Sequence, residues 1–248
     1  MINKQQSIQI VNSEDVLMSP RKVIQRMGNI FQKYGKARGI KSVRFQKARE
    51  AWIASIFSLG YSQITKKAYW IQENKDPKED PDIFVYSYRD PIEPGEIGVV
   101  KEIQTIEVFE YPIYAQLELS EHIKYKLKNK FYHPETISIC YIQRPKEVLK
   151  LIDVINGLID LQTEVREVWL LLTLDELPES NFMIARVYMR GTKYPDMLLS
   201  YKGDYAELCK INQPDFLQDS RGSRMEKRVN ITPSGKTAIV PLPEDLLK

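Results

Sequence analysis

The chain has 248 residues, 43% of them hydrophobic and 28% charged, with 11 Gly and 14 Pro, which excludes the collagen-like, disordered and disulfide-scaffold classes. Cys140 and Cys209 form no Cys-x-x-Cys unit, His122 and His133 stand in no His-Glu-x-x-His array, and no glycine-rich phosphate loop is written. Zinc, redox-pair, P-loop and dinucleotide chemistry therefore fall away. The net charge of +3 is lopsided: ten basic and no acidic residues lie between Pro20 and Arg49, and the rest of the chain carries 26 basic against 33 acidic. A field concentrated in this way suits a polyanion such as nucleic acid; the bland alternative is a solvated helical face.

In chain order, Ser19-Pro20 supplies a capping hydroxyl and a first-turn proline to a helix with Val23, Met27, Ile30, Phe31 and Tyr34 at helical spacing. A second helix is predicted from Val43 to Leu59, stopping at Gly60 and apolar on two sides, so that Glu50 projects beside Ile53 and Phe57. A carboxylate in such company is costly unless a cation meets it. The charge-free stretch Ala51 to Thr65 is 15 residues long, too short to span a membrane, and no secretory run opens the chain, so a cytoplasmic protein is expected.

Strands are predicted at residues 68–72, 82–88 and 99–109, the last two as antiparallel neighbours. A helix near 119–132 and a buried strand at 136–142 follow. Pro145 then opens a helix with Val148, Ile152, Ile155 and Ile159 as its apolar stripe. Further strands fall at 168–174, 182–190 and 197–201, and the tail from Asp219 reads as irregular. Three segments result: a basic helical 1–40, a core 41–210 and an irregular extension 211–248. Trp52, Trp70 and Trp169 read as core residues.

Three acids stand out by placement: Glu50 on the buried helix, Asp82 after Pro81 at a strand start, and Glu102 within the next strand, with Gln104 on the same side. If the strands pair so that Asp82 meets Glu102, the two converge on one hard cation such as Mg²⁺. The frame Glu107-Val-Phe109 ranks lower, because it has no polar third member and points to the other face. Taken singly, Glu50 also reads as the partner of a nearby Lys or Arg, and Asp82 as a turn residue.

The order Glu50, Pro81-Asp82, Glu102-Ile103-Gln104, followed by a basic helix and a buried strand, resembles the PD-(D/E)xK superfamily of restriction-endonuclease-like nucleases over roughly residues 40–145. The resemblance implies an α/β (α+β) fold, a restriction-endonuclease-like mixed central sheet flanked by helices. It gives Asp82 and Glu102 the Mg²⁺, or Mn²⁺ in its place, with help from the Ile103 carbonyl, and Glu50 the outer shell. Gln104 stands where most members carry lysine and would orient the attacking water, as in those restriction enzymes of the superfamily that have Glu-x-Gln. Lys124 or Lys126 of the following helix could bring a migrated lysine. The expected activity is Mg²⁺-dependent hydrolysis of double-stranded DNA by a homodimer, with Lys33, Lys36, Arg38, Lys41, Arg44 and Lys47 gripping phosphates. The alternatives are a catalytically inactive protein of this fold that binds DNA or a protein partner, and a structural protein whose basic face is incidental.

Overall fold

Ser19 Oγ accepts from the Lys22 backbone N–H, and Pro20 opens the first helix, α1 (Pro20–Tyr34), as the cap pattern predicts. Gly35, at φ 81°, takes the left-handed turn between α1 and the short α2 (Lys36–Lys41). A 3₁₀ turn at Val43–Phe45 leads into α3 (Gln46–Thr65). In this computed structural model the residues described are 16–74, 81–90, 99–112, 114–128, 130–143, 149–173, 181–192, 196, 198–211, 213–218 and 238–240. Among them no helix is long and apolar enough to cross a membrane.

The helix α3 does not stop at Gly60. It runs on to Thr65 and closes on Lys66, whose φ of 59° lets its N–H reach Ser62 O at 2.8 Å. Gly60 is instead a point of close approach: a Cβ there would lie 2.8 Å from Phe182 Cε2 and 3.0 Å from Ile184 Cδ1. Every residue from Glu50 to Gly60 is buried, which is why α3 lacks a polar face.

The strands are β1 (Val16–Met18), β2 (Trp70–Glu73), β3 (Ile83–Arg89), β4 (Val99–Tyr111), β5 (Ile137–Ile142), β6 (Glu167–Thr173), β7 (Asn181–Met189), β8 (Leu199–Asp204), β9 (Phe216–Gln218) and β10 (Ala238–Val240). They form one mixed sheet in the order β8-β7-β6-β5-β4-β3-β2-β1-β9, with β10 added beside the first residues of β4. The neighbours β4, β5 and β6 run parallel, and the other pairs are antiparallel. Both parallel connections carry a helix, α4 (Leu119–Leu127) and α5 (Leu151–Gly157), as parallel pairing requires. A last short helix, α6 (Tyr205–Leu208), follows β8.

Two cores flank the sheet. Ile71, Ile83, Val85, Ile106, Val108, Ile137, Ile139 and Tyr141 pack with α1 and α3, whereas Phe109, Tyr111, Cys140 and Ile142 pack with α4 and α5. This alternation is the period of two read along β4, and β5, read as a buried strand, follows it. Trp52 and Trp169 lie in the α3-side core; Trp70 is only half-buried and meets the Tyr88 ring edge-on. The stripe predicted for α5 is displaced, for Val154, Ile155 and Leu158 are buried while Ile152 and Ile159 are exposed; Val148 lies outside the described residues. In the tail, 219–237 and 241–248 lie outside them as well, and β10 was not foreseen.

Candidate active site

The 20-residue helix α3 lies along the sheet, so its two ends cover different ends of the same strands. At its N-terminal end Glu50, 7% exposed, meets Asp82, which stands just before β3. One ammonium holds both: Lys47 Nζ lies 3.0 Å from Asp82 Oδ1 and 3.2 Å from Glu50 Oε2. Asp82 Oδ2 accepts the Val108 backbone N–H at 3.0 Å, and Gln46 donates to Glu50 Oε1 at 2.8 Å. Glu50 Oε2 is buried and has the Lys47 ammonium near it, but no hydrogen bond of good geometry reaches it. Burial, then the Asp82 charge, pushes the Glu50 carboxyl above its ordinary pKa, an effect that Gln46 and Lys47 only partly offset. Burial works against the Lys47 ammonium, but Asp82 and Glu50 outweigh it and raise its pKa.

Beside this pair, Arg49 Nε donates to Glu110 Oε1, and the Gln143 amide donates to Glu110 Oε2. Glu110 shares the α3-side face with Ile106 and Val108, and lies about 7 Å along β4 from Val108. Arg49 Nη1 is buried without a partner. Gln143 directly follows β5, so the cluster sits at the carboxyl ends of β4 and β5, the edge at which open α/β sheets place ligands.

Glu102, Ile103 and Gln104 are not there. Ser87 stands opposite Glu102 in the β3–β4 register, while Asp82 reaches Val108, six residues and about 20 Å farther along β4. The expectation that Asp82 and Glu102 converge on one cation is therefore corrected, and the Ile103 carbonyl and Gln104 move away with Glu102. Glu102 sits at the other end of α3, bound by Lys67, by Ser87 Oγ at 3.0 Å and by Arg89 Nε at 2.9 Å. With Gln104, Ile103, Tyr61, Thr65, Tyr69, Glu135 and Arg166 it lines a cleft of about 140 Å³. Lys124 and Lys126 belong to α4, on the opposite face of the sheet from Glu50 and Asp82, and supply nothing to that pair. Glu107 points to Lys130, 2.7 Å away.

The basic segment divides. Arg21 and Lys22 meet Asp215, Arg26 meets Glu73, and Lys47 and Arg49 are taken up by the carboxylates above. Lys47 is thus no phosphate grip on an open surface, contrary to expectation. Lys33, Lys36, Arg38, Lys41 and Arg44 are exposed along the end of α1, α2 and the 3₁₀ turn. Arg44 lies over the rings of Tyr34 and Phe45, which fixes its guanidinium.

Glu50 and Asp82 are the side chains that would hold a divalent cation of the Mg²⁺ kind here. Two carboxylate oxygens already reach one cationic atom, Glu50 Oε2 has an unused acceptor position, and Mg²⁺ takes one or two carboxylates with water. Among the described residues no group of three or more His, Cys, Asp and Glu is placed to hold a metal. Sequence reading missed the bridging role of Lys47, for which the i, i+3 spacing to Glu50 was the available signal, and it missed Glu110. Compared with known protein families, curated proteins and solved structures, the chain matches none.

Proposed function

We propose that this protein is a divalent-metal-dependent endonuclease of restriction-endonuclease-like architecture. It cuts double-stranded DNA as a homodimer in the cytoplasm, at Glu50, Asp82 and Lys47. The observation that carries the reading is the meeting of Glu50 and Asp82 on one cationic atom, at the carboxyl ends of parallel strands and beside an exposed basic segment. The element order around them, a helix with Glu50, then β2, β3 and β4, then α4 and the buried β5, supports it. Mg²⁺ or Mn²⁺ bound there supplies an acidified water and charge neutralisation. Asp82 and Glu50 would hold the ion and balance its charge. With an ion held by the two carboxylates, Lys47 would be free to offer its ammonium to the scissile phosphate, the part that Gln104 cannot play from the far end of α3. Lys33, Lys36, Arg38, Lys41 and Arg44 hold the flanking phosphates.

The second reading, a DNA-binding protein without catalysis, is favoured by Lys47 already neutralising the carboxylate pair. Supercoiled plasmid with Mg²⁺, then Mn²⁺, separates the two. Nicking is expected from the wild type and Glu102→Gln, and none from Asp82→Asn or Glu50→Gln. Loss of cleavage in Glu102→Gln alone would return the site to the other end of α3. Retarded but uncut DNA with every protein would select the binder.

A further inference from the structure

The outer side of α4 presents a combination that the candidate active site does not use. Leu119, His122, Ile123 and Leu127 turn inward to the core, which leaves Tyr125 outside and 68% exposed. Phe131, four residues past the helix end, is 83% exposed. Aromatic rings bury 150–250 Å² when they pack, so two left in water on one short segment are unusual. They are interleaved with Lys124, Lys126, Lys128 and Lys130, and from Leu119 to Phe131 the one acid is Glu121. Lys124 answers Glu121 at 3.1 Å and Lys130 answers Glu107 at 2.7 Å, whereas Lys126 and Lys128 stand exposed.

We propose that α4 and the turn after it bind single-stranded nucleic acid, with unpaired bases stacking on Tyr125 and Phe131 and phosphates held by Lys126 and Lys128. Charge selects this occupant. A second copy of the same face would bring the lysines against one another, and a neutral apolar partner would leave them unanswered. A polyanion neutralises them, and of the polyanions only a single strand also offers flat apolar faces, since a duplex keeps its bases stacked inside. The surface lies across the sheet from Glu50 and Asp82, so the proposal does not rest on cleavage at that pair.

Fluorescence anisotropy of the full chain in EDTA, with a labelled mixed-sequence single strand and a duplex of equal length, provides the test. Tyr125→Ser/Phe131→Ser keeps every charge, and both rings are exposed, so the thermal midpoint should not move. It should weaken single-strand binding about tenfold or more and leave duplex binding within about twofold. In contrast, Lys41→Ala/Arg44→Ala should weaken the duplex first. The proposal is overturned if the wild type does not bind the single strand, or if the aromatic variant weakens both DNA forms equally or neither. Displacement of the strand by polyglutamate of equal charge with equal efficiency would point to an acidic protein. Sedimentation that shifts from dimer to monomer in the variant, with single-strand affinity intact, would make the face a contact between copies.

Discussion

Glu102 and Glu50 lie under the same helix and respond to pH in opposite senses. Burial alone would raise Glu102, but Lys67, Ser87 and Arg89 outweigh it and hold its pKa below the ordinary 4.5. The unfolded chain then takes the proton more readily than the folded one. The stability Glu102 contributes is complete above 4.5 and fades as pH falls through the lowered folded value. Glu50 has the reverse sign: burial and Asp82 raise its pKa, so the folded form gains stability as pH falls through that raised value. Glu102→Gln, which leaves Lys67 and Arg89 without their carboxylate, should cost about 1.5–3 kcal/mol at neutral pH. It should also flatten the loss of stability below 4.5. Urea denaturation across that range reads both, and an unchanged acid slope in the variant would refute the assignment.

At the level of elements, Gly60 shows how one residue type serves two structural purposes. A glycine after an apolar helical run reads as a stop, yet here it lets α3 approach β7 closely. Gly60→Ala gains about 1 kcal/mol of helix propensity, but its Cβ would press on the Phe182 ring and Ile184 in a packed core. A net loss of about 1–2 kcal/mol is expected, which calorimetry would register as a lowered melting midpoint. Local patterns made much of the rest legible: Ser19-Pro20 marked the start of α1, and the residues of β3, β4 and β5 were recognisable from their composition and alternation. Strand register was not. The connection from Asp90 to Gly98 is too long to fix which residues face each other, so Asp82 and Glu102 read as neighbours although six residues of β4 separate their positions. The approach of Glu50 to Asp82 needed no register, because the start of α3 covers the start of β3. The cation between them was hidden because Lys47 had been counted with the basic face. Long-range pairing such as β10 on β4 has no local signature at all.

Over the whole molecule, the exposed part of the basic segment is separate from the part consumed by internal ion pairs, and this sets the expected salt response. Within that segment Lys33, Arg38, Lys41 and Arg44 are exposed and placed to displace counterions from DNA, and each phosphate contact contributes about 0.9 to the slope of log affinity against log salt. Lys33→Ala/Lys41→Ala/Arg44→Ala should therefore lower that slope by about 2–3 units in a duplex titration, whereas Arg21→Ala, whose partner is Asp215, should leave it unchanged. The anchoring of that segment also carries a consequence for synthesis. β1 immediately precedes α1 and pairs on one side with β9, Val16 facing Gln218, while Ser19 N–H donates to Asp215 O and Arg21 grips the Asp215 carboxylate. β1 thus waits for residues emerging from the ribosome some two hundred positions later. Until they arrive, β1 has β2 as its one strand neighbour among the described residues, so the basic surface gains this support only after residues 213–218 have been made.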